Sequence, residues 1–314
     1  MSNILGATVP VFLVMLIGAA LSYRAVIGRE AWQRLQALNY FLFIPAMFLS
    51  GLASADFADA PLSRIAVATA VALGAGTGAA WLWHSRKNGR HDLGPQLLDA
   101  AIRANVPYGM GLSLALGGQS GLHLFLVAAA TYLPTVVLAG GLFAQLAGRR
   151  DGDPETEQRY ALVSALRLLA QNPILAGAIL GVVIQVSGIP LASGIDAMVE
   201  AAGYAAIPIG LLGSGALLSM AAAQNALEAT RTDVALALGI KLIALPAIAG
   251  VLALATGLEG AETVAVVLIA ALPSVTPRYT VLGNPSRHST LSGIATLATV
   301  VSGVTVPVTL WIVS

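Results

Sequence analysis

The chain has 314 residues, of which 57% are hydrophobic and 10% charged, with a mean hydropathy of +0.83. A soluble domain of this composition would expose a large apolar surface, so the numbers exclude one and leave an integral membrane protein. The 16 basic and 15 acidic residues nearly cancel and form no basic block of the kind that tracks nucleic acid, and the lack of cysteine excludes disulfides, thiolate metal sites and cysteine nucleophiles.

The opening residues Met1 to Asn3 carry no basic n-region and lead into an apolar stretch too long for a signal peptide, so the first span is expected to remain in the mature protein. At about 20 apolar residues per crossing, the chain predicts ten spans: 4–23, 35–54, 63–83, 97–117, 122–147, 161–187, 197–220, 232–256, 262–283 and 289–313. Five fall on either side of the polar connector GRRDGDPETEQR, which divides the chain into a first repeat (1–148), a cytoplasmic connector (149–159) and a second repeat (160–314). Pro10, Gly18 and Pro45 recur 163 residues later as Pro173, Gly181 and Pro208, a fixed offset that signals internal duplication. An odd number of spans per repeat makes the second half enter the membrane from the opposite side, so the expected fold is an all-α 5+5 inverted repeat.

Lys and Arg set the orientation. The loops after the odd-numbered spans carry Arg24, Arg29, Arg34, Arg86, Lys87, Arg90, Arg149, Arg150, Arg159, Arg231 and Arg287, whereas the opposite side has only Arg64. By the positive-inside rule the odd loops are cytoplasmic and both termini lie outside, in what is expected to be a bacterial plasma membrane.

Span 4 reads AIRANVPYGMGLSLALGG and span 9 contains ALPSVTPRYTVLG, each with proline among glycine and small polar residues in mid-span. Proline removes a backbone donor and clashes with the preceding turn, and non-helical backbone at membrane depth persists only where protein or a wet cavity surrounds it. The two segments are each fourth in their half. Broken helices in corresponding positions point to a binding site, because half-helix N-termini offer free N–H groups and a positive dipole end to an anion. Ordinary proline kinks are the alternative. The candidate site residues here are Asn105, Pro107 and Tyr108 in span 4 and Pro273, Ser274, Thr276, Pro277 and Arg278 in span 9, with Ser50 and Ser214 lining the pocket from spans 2 and 7 or simply packing helices.

Two cations stand out. Lys241 falls near the centre of span 8, where a lysine either couples to transport or ties broken backbone internally. Arg278 follows Pro277 at the break, facing either the site or the cytoplasmic headgroups. Arg103 has Asp99 one turn before it and reads as structural. Every Asp and Glu lies in a loop or near a span end, so the deep interior pairs cations and amides with no acid and favours an anionic cargo. The same absence removes an acidic proton relay and carboxylate ligands for sodium. His84, His91, His123 and His288 lie near the interfaces. No metal or cofactor is expected, and neither an HExxH pair nor a GxSxG elbow supports an intramembrane enzyme.

The run from Ala271 to Pro277 resembles the ALPxxxP segment of the auxin efflux carrier family, which includes plant PIN proteins and bacterial malonate and malate carriers. Arg103-x-Asn105 followed by Gly109 and Gly111 resembles that family's RxN segment, and Pro10 to Gly18, Asn172-Pro173 and Pro307 fit as well. The resemblance implies a ten-helix fold like that of the bile acid symporters. In it, helices 1, 2, 6 and 7 form a scaffold, often dimeric, and helices 3–5 and 8–10 a mobile domain; the broken helices 4 and 9 cross near mid-membrane, with carboxylate substrates bound beside the crossing. It carries Asn105 over as a substrate ligand, a helix cap being the alternative. Tyr132 falls where PIN-type carriers have a site tyrosine, with a packed, satisfied hydroxyl as the other reading. Two departures matter: PIN-type carriers tend to have an apolar residue at the position of Arg278, and span 3 lacks their acid-plus-lysine pair. The expected function is therefore secondary transport of a small organic, carboxylate-bearing anion by elevator-type alternating access, in a homodimer joined through the scaffold helices. A ligand sensor or channel on the same fold is the alternative.

Overall fold

In lipid a backbone must satisfy its N–H and C=O groups within the segment, so long apolar runs become helices. The computed structural model describes residues 2–56, 60–86, 98, 100–148, 163–189, 191–275 and 285–313, and the regular structure among them is helical. In order these are α1 (Ser2–Tyr23), α2 (Arg29–Leu38), a π-helical turn (Asn39–Phe43) running into α3 (Ile44–Ala53), α4 (Leu62–Arg86) and α5 (Val106–Gly148). The second half has α6 (Val163–Ala170), α7 (Pro173–Ser187), α8 (Ser193–Ala216), α9 (Met220–Gly239), a second π turn (Ile240–Ala244), α10 (Leu245–Ala255), α11 (Gly260–Ala271) and α12 (Pro285–Val313). Among the described residues, seven helical stretches are long and apolar enough to cross a membrane, or eight if α6 and α7, bent by 61°, form one span. That bend has a local cause. Pro173 cannot donate to a preceding turn, and Asn172 caps the new helix by accepting from Ile174 N (2.9 Å) and Leu175 N (3.3 Å).

The 43-residue α5 is a folded-back pair of helices rather than one rod. Gly118 has φ 59° and ψ −149°, a conformation open to glycine alone. Beyond it the chain retraces its path. A β-carbon on Gly121 would sit 2.8 Å from Ser113 O, one on Gly109 would strike the Phe125 ring, and Ala104 N donates to the Tyr132 hydroxyl at 2.7 Å. Contacts at 113/121, 109/125 and 104/132 are the signature of an antiparallel hairpin with its corner at Gly118.

The helices pack in two groups. In the first, α1 lies on α8, and α3 lies on both α7 and α8. In the second, α9 packs on α12, α5 on α4 and α11, and α10 on α4 and α11. The groups meet where α5 touches α1, α3 and α8 and where α1 touches α12. Small residues let backbones approach in the first group, as expected where lipid supplies no hydrophobic drive between helices. Gly18 of α1 lies against the carbonyl of Leu212 in α8, and Gly181 of α7 against the carbonyl of Leu49 in α3. Gly181 is 163 residues after Gly18, and Leu212 is 163 residues after Leu49.

Candidate functional site

Helix at residues 100–102 stops at 103–105 and restarts at Val106; α11 stops at Ala271 and residues 272–275 are non-helical. The two interruptions touch. Asn105 N donates to Pro273 O at 3.0 Å, so backbone groups freed by one break are satisfied by the other. The Asn105 side chain is 2% exposed and works at both ends of its amide: Oδ1 accepts from Tyr108 N at 3.4 Å, capping the first turn of α5, and Nδ2 donates to Ser214 Oγ at 2.9 Å. Ser214 in turn donates to Gly210 O at 2.8 Å. Asn105 therefore ties the break in the second helix group to α8 in the first.

The other sequence candidates divide. Pro107 sits against Gly210, where a β-carbon would overlap its ring. Tyr108 is fully buried edge-on to Phe12, with ring centroids 6.0 Å apart; its hydroxyl lies near Ser302 without a hydrogen bond of normal geometry. Tyr132 serves the break directly by accepting from Ala104 N. Tyr132→Phe should thus leave a buried N–H unpaired and lower stability by about 1–3 kcal/mol, read as a lower unfolding midpoint in detergent; an unchanged midpoint would show that another acceptor takes over. Ser274, beside Pro273, is 4% exposed and its hydroxyl makes no hydrogen bond among the described residues. Ser50 instead turns back on its own helix, donating to Ala46 O at 3.0 Å. Thr276, Pro277, Arg278 and Asp99 lie outside the described residues.

Lys241 occupies the second π turn and is completely buried, and its Nζ has no hydrogen-bond partner among the described residues. That turn packs on α4, α11 and α12. Asp233 is also buried, at 2% exposure, but two turns earlier near the start of the span, where it accepts from Trp83 Nε1 at 3.2 Å. No cluster of three or more His, Asp or Glu suited to a metal occurs among the described residues.

Two features went unread in the sequence. One is Asn39, at the head of the first π turn, completely buried beside Gly210 with neither amide atom hydrogen-bonded among the described residues. A lone amide inside the apolar run LNYFLFIPAM was the available signal. The other is a cavity of about 420 Å³ between the start of α1 (Asn3, Ile4), the Gly117–Gly121 corner, the start of α11 and Leu310. It is bordered by Ser113, two turns along α5 from Asn105.

A sequence profile of the family described as membrane transport protein, that of the auxin efflux carriers, matches residues 144–312, just over half of the chain. The chain belongs to the auxin efflux carrier family. The match spans α6 to α12, including Ser214, Lys241 and Pro273, while Asn105 precedes it. No curated protein matches the chain. As a member of a membrane transport family with several apolar spanning helices, this carrier is an integral membrane protein that acts on a small molecule across a lipid bilayer.

Proposed function

We propose that the protein is a secondary transporter of small carboxylate anions, working by alternating access as the second helix group moves elevator-fashion against the first. The observation that carries this reading is the junction of the two breaks, Asn105 N to Pro273 O, beside the N-terminus of α5 that Asn105 Oδ1 caps. A half-helix N-terminus buried among donors such as the Asn105 amide suits an anion. Lys241, and Arg278 beyond the described residues, would supply positive charge, and the buried acid nearest in sequence, Asp233, is held at the end of its span by Trp83.

The ten-crossing inverted repeat is part of the proposal. It is supported by the reversal at Gly118, consistent with two crossings by α5, by the short apolar α11 ending at a break, and by the paired contacts Gly18–Leu212 and Gly181–Leu49, related by one sequence offset. The grouping of helices supports a scaffold of spans 1, 2, 6 and 7 and a moving domain of the rest. The exposed apolar side chains of α7, among them Leu180, Val183 and Val186, suit lipid or a second scaffold in a homodimer. The excess of Lys and Arg in the loops after odd-numbered spans supports an orientation with both termini outside the cell.

The test is counterflow in proteoliposomes loaded with mono- or dicarboxylates. Saturable exchange is expected, and Asn105→Ala should fold yet bind the anion about 10- to 100-fold more weakly, the worth of a hydrogen bond to a charged group. Preference for a neutral or cationic solute would overturn the anion reading; binding without flux would make the protein a sensor. Unchanged affinity in Asn105→Ala would leave Asn105 as a cap only.

A further inference from the structure

Asn39 is the buried polar group at the seam between the helix groups that the arrangement above leaves unused. It is 0% exposed, and neither Nδ2 nor Oδ1 has a hydrogen-bond partner among the described residues. A buried amide so placed is held at a substantial free-energy penalty, which calls for a partner in some other state of the molecule. Its location is specific. Nδ2 lies 3.0 Å from the point a β-carbon on Gly210 would occupy, and the Pro107 ring presses on that same point from the opposite helix group. Gly210 O holds Ser214, which holds Asn105, so both amides border one small region. The next residue, Tyr40, lies within electrostatic range of Arg103. The π turn thus borders the 103–107 segment through Asn39, beside Gly210 and Pro107, and single π turns inside α-helices recur at functional positions.

We infer that Asn39 is a solute-binding residue on the first helix group, its Nδ2–H₂ donating to a carboxylate oxygen that the N-terminus of α5 and Asn105 hold from the other side. The inference rests on the anion reading and adds a second wall to that site. The seam is closed in this structure, and its opening admits the solute and supplies the missing partner.

The cysteine-free chain makes the test direct. Asn39→Cys in the full chain, reconstituted in liposomes, is exposed to a hydrophilic, membrane-impermeant methanethiosulfonate. Phe48→Cys, equally buried in the adjoining α3, is the control. Asn39→Cys should react at least ten-fold faster than the control, and malonate, succinate or acetate should slow it. Fast labelling slowed by choline or glycerol but by no carboxylate keeps Asn39 as a wall and overturns the anion reading. Labelling no faster than Phe48→Cys, or slowed by none of these solutes, overturns the role of Asn39. In parallel, Asn39→Leu should fold but lose about ten-fold or more in carboxylate affinity. A variant that binds like the parent makes Asn39 a packing residue.

Discussion

Lys241→Met should give a protein that unfolds at a higher temperature than the parent and transports its anion at least ten-fold more slowly. Methionine keeps the length of the chain without a head group that must be hydrogen-bonded. In the parent, Nζ is fully buried with no partner among the described residues, on a π turn enclosed by α4, α11 and α12. Replacing an unsatisfied buried polar group by an apolar one of similar volume is commonly neutral or stabilising. A lysine retained there despite that penalty is expected to serve function, as intramembrane ionisable residues generally do. Thermal unfolding in detergent and counterflow in liposomes read the two halves separately. A variant that transports at the parental rate would remove Lys241 from the mechanism, and one that is less stable would show that Nζ holds the fold together.

Gly18→Leu and Gly181→Leu should each destabilise the first helix group by about 3 kcal/mol, the upper end of the range for overpacking. The obstruction is peptide backbone. A β-carbon at Gly18 would overlap the Leu212 carbonyl, and one at Gly181 would lie 2.7 Å from Leu49 O and 2.9 Å from Phe48 O, so no rotamer change relieves either. Gly6→Leu, on the same helix as Gly18 but with nothing near its added carbon, provides the comparison and should behave like the parent. Equal unfolding midpoints for Gly18→Leu and Gly6→Leu would show that α1 and α8 are not bound by this close approach.

What the sequence disclosed followed from rules with a single physical cause. Hydropathy marked apolar helices, of which seven or eight among the described residues are long enough to span a membrane against ten expected, and proline and glycine accompany the non-helical residues 103–105 and 272–275, because both act on the local backbone. The contact of Asn105 with Pro273 is non-local, and only the resemblance to a known family suggested it. Side-chain duties were less legible. Ser50 and Ser214 looked alike in apolar helices, yet one bonds its own turn and the other receives Asn105; the difference lies in which face meets a neighbour. Tyr132 was open between ligand and packing and proves to hold the backbone of the break. The π turns escaped altogether, since one extra residue in a helical turn leaves no trace in composition or periodicity, and with them went the setting of Asn39.

The corner at Gly118 also has a mechanical consequence. From there to the break, α5 is a helical arm of 12 residues, about 18 Å long at 1.5 Å per residue. Pivoting that arm by about 10° about its glycine end would swing the far end by about 3 Å, the span of one hydrogen bond. A lever of this length lets Asn105 exchange one partner for another while every helical turn between pivot and tip keeps its shape.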